Sequence, residues 1–265
     1  MQNVTNGERM TGSDEQTLVA QFRSSVAEDL RVFAILHDRE VTEEVLKELI
    51  AAHFPDGLGL QLKNKDSIEV CDFMRKALAE LTFPLEEQQL NDLAADFSAI
   101  YLTASLLASP NESVWLTEER LVCQEPMFQV REWYQRYGLG VENWRVRADD
   151  HLVFQLQFVS HLFKLDNELE TLKQTAQFLD EHLLRWIKQF AAQVASHCDT
   201  AFYAGVALVT AQYLDELRDV LAGVIGQPRP TPEEIEQQFK PKVEEIPLKF
   251  FAEYNPEVDG PPGWS

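Results

Sequence analysis

The sequence feature that most constrains the fold is a long apolar repeat in the second half of the chain. Apolar residues recur there at alternating spacings of four and three residues, which is the period of one face of an α-helix. The repeat consists of Leu165, Leu169, Leu172, Ala176, Leu179, Leu183, Trp186, Phe190 and Val194. It predicts a long helix with one face packed against the rest of the protein along its length.

Other segments have the same helical character. An apolar residue recurs at every fourth position from Leu18 to Leu30, and residues 201–222 are apolar nearly all round, as in a helix surrounded by others. Helix starts are also marked, since Thr42 and Thr231 each precede a pair of glutamates. No strand-like alternation of apolar and polar residues stands out in the sequence. We therefore predict an all-α fold, a helical bundle of about nine or ten helices.

Two changes in composition indicate how this bundle is organised. A polar linker follows Gly138-Leu139-Gly140, and the residues after Pro241 are rich in proline and charge without a helical period. We predict an N-terminal helical part over residues 1–140, a C-terminal helical part over 141–230, and a helix start with an extended tail over 231–265. The parts are expected to pack as one compact unit.

Charge and cysteine content argue against several classes of function. Asp and Glu number 44 against 23 Lys and Arg, so the net charge is −21. Such a surface repels nucleic acids and anionic membranes. The chain begins without an apolar leader, no stretch is apolar over the roughly 20 residues of a membrane span, and the three cysteines have no paired spacing. These features predict a cytoplasmic protein that neither inserts into membranes nor binds nucleic acid.

Catalytic and metal-binding motifs are missing from the sequence. The six histidines form no HExxH, and neither a phosphate-binding GxxxxGK[ST] nor a nucleophile elbow GxSxG occurs. Carboxylates are abundant, but in so acidic a chain close pairs arise by chance. We therefore predict no catalytic residue, no metal and no cofactor, and hence no enzyme. A cofactor-dependent enzyme in a helical bundle stays an alternative that metal analysis would test.

One stretch with several aromatic residues looks suited to contact with another molecule. Phe97 and Tyr101 lie one helical turn apart, so their rings share a face. Trp115 returns after a loop that contains Pro110 and Ser113. These rings either line a groove or fill the core, and the sequence leaves both interpretations open.

A second stretch, Asp149-Asp150-His151, stands between the polar linker and a predicted helix. An aspartate there can cap the helix. Alternatively, two carboxylates beside an aromatic groove can pair with guanidinium groups of a peptide, because arginine matches carboxylates in bidentate geometry.

Together these stretches resemble the TorD/DmsD/NarJ family of redox-enzyme maturation chaperones, and most of all its TorD/DmsD branch. The resemblance is carried by Asp96-Phe97 through Leu102, Pro110-x-Glu112-Ser113-Val114-Trp115, Glu125-Pro126, Val130-Arg131-x-x-Tyr134, Tyr137-Gly138-Leu139 and Asp149-Asp150-His151-Leu152, leading to Phe158. There are departures. Arg147-Ala148 stands where many relatives have Glu-Pro, and Gln155 and Gln157 stand where relatives commonly place a glutamate.

The resemblance implies a chaperone that binds the twin-arginine signal peptide of a molybdoenzyme precursor, of the dimethyl sulfoxide or trimethylamine N-oxide reductase type. It would hold the apo-form until the cofactor is inserted, before export. The implied signal-peptide-binding residues are Phe97, Tyr101, Pro110, Ser113, Trp115, Asp149, Asp150 and His151. The resemblance is compatible with a monomer or a helix-swapped homodimer. The alternative is an assembly factor of the NarJ kind, which binds the folded catalytic subunit instead of a signal peptide.

Overall fold

The computed structural model describes residues 12–166 and 168–239. Within these ranges the regular secondary structure is helical and contains no strand, so the prediction of an all-α bundle is confirmed. The predicted tail after Pro241 lies outside the described residues.

The helices divide between two compact units, Met1–Arg229, which contains α1 to α10, and Pro230–Ser265, which contains α11. Two π-helical turns, Ser98–Leu102 and Leu179–Leu183, continue α4 and join α8 to α9. The α-helices are α1 (Gly12–Asp38), α2 (Glu43–Ala51), α3 (Lys65–Ala79), α4 (Glu87–Phe97), α5 (Ser113–Leu116), α6 (Glu125–Arg136), α7 (Leu152–Leu165), α8 (Leu169–Phe178), α9 (Leu184–His197), α10 (Ala201–Ile225) and α11 (Pro232–Phe239). The predicted division at residue 140 stays a prediction.

Helix α10 forms the centre of the first unit, as its apolar composition predicts. It packs against α3 and α9, and α1 packs along α7. Gly205 of α10 faces Met74 of α3, where an added Cβ would lie 2.4 Å from the Met74 Sδ, so a side chain at 205 would displace this contact. The buried Arg218 of α10 pairs with Asp180, with 2.8 Å between Nη2 and Oδ2. The bundle therefore surrounds α10 with both apolar and charged contacts.

The apolar repeat of residues 165–194 is confirmed over most of its length. Every member from Leu172 to Val194 is buried, along α8, the π-helical turn and α9. The first two members are an exception, since Leu165 and Leu169 are 47% and 48% exposed. Leu165 ends α7 and Leu169 begins α8, so both lie beside the connection between the two helices.

The first apolar stripe also loses its outermost member, because Leu18 of α1 is 56% exposed while Val26 and Leu30 are fully buried. A spacing of four residues exceeds one helical turn of 3.6 residues, so such a stripe drifts around the helix.

Both predicted helix starts are confirmed. The Thr42 hydroxyl accepts a hydrogen bond from the Val45 N–H at the start of α2. At the start of α11, the Thr231 hydroxyl accepts from the Glu234 N–H (3.2 Å), and the Glu234 carboxylate accepts from the Thr231 N–H (2.8 Å). This reciprocal pair satisfies two backbone donors that the helix itself leaves free.

Candidate functional site

A polar junction, formed by residues 109–113 and 148–152, ties the segment before α5 to the start of α7. One oxygen of the buried Asp150 carboxylate accepts hydrogen bonds from the backbone N (2.8 Å) and the Oγ (2.6 Å) of Ser113. Its other oxygen accepts from the Asn111 side chain at 3.2 Å. The Leu152 N–H donates to the Pro110 carbonyl at 2.8 Å. The junction thus brings together Pro110, Ser113 and Asp150. The Asp150 carboxylate is hydrogen-bonded within the protein at both of its oxygens.

Asp149, the second acid of the junction, is paired with an arginine of α6. Arg131 donates from Nε and Nη2 to the two carboxylate oxygens of Asp149, at 3.2 and 2.8 Å. This hydrogen bonding raises the pKa of Arg131 above its ordinary value. The guanidinium group also lies 5.3 Å from the ring centre of Phe128 and 4.7 Å from that of Trp144. Asp149 therefore holds a guanidinium in the bidentate arrangement expected of a leader arginine, but the guanidinium belongs to the chain itself.

His151, and neither aspartate, caps α7. Its Nδ1 accepts a hydrogen bond from the Val153 N–H at 3.2 Å. Burial, together with the nearby Arg147 and His37, lowers the pKa of His151 to about 3, so its ring is neutral near pH 7. The capping interpretation from the sequence thus applies to the residue after the two aspartates.

Phe97 and Tyr101 form an aromatic pair, with ring centres 4.9 Å apart. Phe97 is buried, whereas Tyr101 is partly exposed. The Tyr101 hydroxyl lies 2.6 Å from Nδ1 of His37 in α1, and the His37 Nε2 lies 2.9 Å from the Thr210 hydroxyl. Because that hydroxyl donates its proton to the Val206 carbonyl, His37 must donate from Nε2 and accept from Tyr101 at Nδ1. The pair is thereby fixed to the last turns of α1.

Trp115 belongs to the polar junction. Its Nε1 donates to the Ser109 carbonyl at 2.8 Å, and its ring is half-buried. Among the described residues, the hydrogen bonds and ring contacts link Trp115 to the junction and not to Phe97 or Tyr101. The eight predicted binding residues therefore fall into two clusters.

A buried polar group beneath the junction consists of Glu112, Gln155 and His182. None of the three was among the residues predicted to bind a peptide. The Glu112 carboxylate, fully buried, lies 2.9 Å from His182 Nδ1 and accepts from Gln155 Nε2 at 2.9 Å. The same Gln155 amide donates to the Asp150 carbonyl at 2.9 Å. Burial raises the pKa of Glu112, and His182 acts in the opposite direction.

These contacts use the amide group of Gln155. A glutamate at position 155 would have no amide protons to donate and would place a second carboxyl beside Glu112. Two features of the sequence could have drawn attention to this buried group. They are the glutamate within the Pro110-x-Glu112 motif, and Gln155, which stands where the resemblance implies a glutamate.

An open aromatic cleft adjoins the junction. It has a volume of about 230 Å³ and is lined chiefly by Tyr134, Leu139, Val141, Phe154 and Phe158. The Tyr134 hydroxyl donates to the backbone carbonyl of Asp149 at 3.0 Å, which places the cleft directly beside the junction. The lining residues come from α6, α7 and the linker after Gly138, where a positive φ of 69° ends the α6 segment.

Over residues 12–166 and 168–239, no group of three or more His, Cys, Asp and Glu side chains is placed to hold a metal ion. Among the helices of the same ranges, none combines the length and apolar character needed to cross a bilayer.

Comparison with known proteins identifies relatives. Residues 69–192 match the family model described as nitrate reductase delta subunit. A chaperone protein TorD of Vibrio vulnificus is 33% identical over 121 residues, which cover 42% of this chain and 56% of that protein. The TorD of Photobacterium profundum is 30% identical over 185 residues, covering 66% and 82%, and that of Vibrio parahaemolyticus is 27% identical over 200 residues, covering 71% and 91%.

The matched residues 69–192 include the polar junction, the aromatic pair and the aromatic cleft. The match to the Vibrio vulnificus relative spans only a little over half of that protein, while the match to the Photobacterium relative spans most of it. On the all-helical fold, the ordered motifs from Leu93 to Phe163 and these matches, the chain belongs to the TorD/DmsD-like family of chaperones.

Proposed function

We propose that the protein is a maturation chaperone for a molybdoenzyme precursor, which binds the precursor's twin-arginine signal peptide and holds the apo-form until the cofactor is inserted. The observation that carries this proposal is the aromatic cleft beside the polar junction. A signal peptide of this kind joins a positive pair to an apolar run. The cleft provides apolar surface for the run, within a strongly acidic protein.

The charges around the cleft support the same partner. Glu142 follows Val141 of the cleft in sequence, is exposed, and forms no ion pair with the described residues. The Asp149 carboxylate already holds Arg131 in the bidentate geometry that an arginine of the leader would need. A leader arginine would pair with Asp149 only by displacing Arg131, whereas Glu142 is open to it directly. Acidic surroundings also speed and orient the encounter with a cationic peptide.

Calorimetry with a synthetic peptide that carries adjacent arginines followed by a leucine-rich run tests the proposal. Leu139 lines the cleft and is exposed, so Leu139→Asp places a charge in the apolar surface without disturbing the core. We expect this variant to bind the peptide at least about tenfold more weakly, which corresponds to about 1.4 kcal/mol. Leu169→Asp, at an exposed leucine of α8 outside the cleft, is the matched control and should bind as the wild type does.

Absence of binding to the wild type, or equal loss in both variants, would contradict the proposal. Capture of the mature enzyme without its leader would favour instead an assembly factor that binds the folded subunit.

A further inference from the structure

A second and larger cavity lies away from the aromatic cleft, between α1, α2 and the segment after α2. This α1–α2 cavity has a volume of about 320 Å³. Its walls are mainly apolar and include Val32, Leu36, Val45, Leu49, Phe54 and Leu58. All of its lining residues lie between positions 29 and 58, before the residues 69–192 that match the family model. The cavity is therefore not part of the site described above.

The walls of this cavity are held by hydrogen bonds. The Asp29 carboxylate accepts from the Gly59 N–H (3.0 Å), the Leu60 N–H (3.1 Å) and the Tyr213 hydroxyl (2.8 Å), which anchors the segment after α2 to α1 and α10. The Gly57 N–H donates to the His53 carbonyl at 2.9 Å. A side chain at Gly57 would place its Cβ 1.9 Å from the Ala52 carbonyl oxygen, so only glycine fits there. These bonds fix the position of the segment that forms one wall of the cavity.

The charges that line the cavity are of one sign. Asp29 and Glu48 are acidic, and none of the lining residues is basic. The Asp29 carboxylate is occupied by its hydrogen bonds to the wall of the cavity. Glu48, in contrast, is exposed and makes no ion pair or side-chain hydrogen bond with the described part of the chain. The lysine and the arginine nearest to Glu48 in sequence are already paired, Lys47 with Glu43 and Arg39 with Asp38. An apolar cavity with an unpaired carboxylate at its edge is complementary to an apolar segment beside a positive charge.

We propose that the α1–α2 cavity is a second peptide-binding site, which takes large apolar side chains of the leader while Glu48 pairs with a positive charge of the same peptide. This inference rests on the proposed function, since it assigns a further contact to the same partner.

Filling the cavity tests the inference. Ala52 is exposed and lines the cavity, whereas the neighbouring Ala51 is exposed and does not. We expect Ala52→Trp to weaken binding of the peptide with adjacent arginines and a leucine-rich run about tenfold by calorimetry. Ala51→Trp, the matched control, should bind as the wild type does. A shorter peptide that keeps the arginines but lacks the leucine run should bind both variants equally.

Replacement of Glu48 by glutamine, which keeps the shape of the side chain and removes its charge, tests the role of this carboxylate. Glu48→Gln should weaken peptide binding about threefold at low salt, and the difference should disappear at high salt because an exposed pair is screened. Glu69→Gln removes the same charge from α3, at an exposed site outside the cavity. This control should leave the affinity within about 1.5-fold of the wild type.

Amide hydrogen exchange locates the contact independently of any variant. Saturating peptide should slow exchange in residues 43–58 of the wild type, and this protection should be lost in Ala52→Trp. If the peptide binds the wild type and Leu139→Asp weakens it, but Ala52→Trp and Ala51→Trp behave alike and residues 43–58 gain no protection, the cavity inference is overturned and the chaperone proposal stands. If the peptide does not bind the wild type, both are overturned.

Discussion

At the polar junction the carboxylates of Asp149 and Asp150 are buried and bonded to donors of the protein itself, whereas in the α1–α2 cavity the Glu48 carboxylate is exposed beside an apolar wall. The first arrangement fixes one conformation, because Asp150 satisfies the buried Ser113 donors and the buried Asp149 carboxylate would lose its guanidinium partner if the pair with Arg131 opened. The second leaves both an apolar surface and a charge available to a ligand. Burial with internal donors thus marks the acidic residues that serve the fold, whereas exposure beside an apolar wall marks an acid that is available to a partner, as proposed for Glu48.

The largest loss of stability is expected from a substitution that breaks the polar junction. Asp150→Ala removes the acceptor for the Ser113 N–H, the Ser113 hydroxyl and the Asn111 side chain. We expect the free energy of unfolding in urea to fall by about 4 kcal/mol, since buried donors lose a charged acceptor. Asp72→Ala, an exposed acid of α3 paired with Arg75, should cost less than about 1 kcal/mol. Similar losses in the two variants would show that the junction is not a structural centre.

A smaller effect is expected from the other acid of the junction. Arg131→Met keeps the aliphatic part of the side chain but leaves the buried Asp149 without its guanidinium. Because Arg131 is itself partly exposed, we expect a loss of about 3 kcal/mol in urea unfolding, at the lower end for a broken buried pair. Arg136→Met, at the exposed end of the same helix, removes a guanidinium that stacks on Trp133. It should cost less than about 1 kcal/mol, and a larger loss there than at Arg131 would contradict the assignment.

The next effect depends on pH. The pKa of His151 falls from an ordinary 6.5 to about 3 in the folded protein, so the unfolded chain binds more protons between these values. Stability from this group is complete above pH 6.5 and is lost as the pH falls, by about 2 kcal/mol at pH 5. His151→Asn keeps an acceptor for the Val153 N–H and removes the titration. The drop in unfolding free energy between pH 7 and pH 5 should therefore be smaller in the variant by that amount. An unchanged drop would mean that the pKa of His151 is the same in the folded and unfolded states.

The smallest change in stability is expected from a substitution in the α1–α2 cavity. Glu48→Gln removes an exposed carboxylate without a partner among the described residues, so the free energy of unfolding should change by less than about 0.5 kcal/mol. Thermal and urea unfolding measure this directly. A loss of stability comparable to that of Asp150→Ala would place Glu48 in the structural group and remove the contrast between the two regions.

Sequence periodicity predicted the helices well where a helix packs along its whole length. Trp186 and Phe190 follow the apolar repeat into the core, and Thr42 and Thr231 cap the helices that they were expected to start. Periodicity failed at Leu165, because a local pattern does not indicate where one helix ends and the next begins.

The candidate site could be predicted only in part. The family motifs placed Ser113 and Asp150 together, yet which donors they satisfy depends on tertiary contacts across 37 residues of chain. The contact of Glu112 with His182 spans 70 residues and has no local signal. The α1–α2 cavity is harder still, because apolar residues such as Leu49 and Phe54 have the same pattern whether their neighbours fill the space or leave it empty.

Helix α1 contacts both the α1–α2 cavity and Tyr101 of the aromatic pair. Leu36 of α1 lines the α1–α2 cavity, and the next residue, His37, is held at both ring nitrogens by Tyr101 and Thr210. A ligand that shifts this turn of α1 therefore strains or relieves the hydrogen bond to Tyr101. Thermodynamic linkage then requires that any change that breaks the His37–Tyr101 hydrogen bond alters the affinity of the cavity by the same factor as occupancy of the cavity alters the equilibrium for breaking that bond.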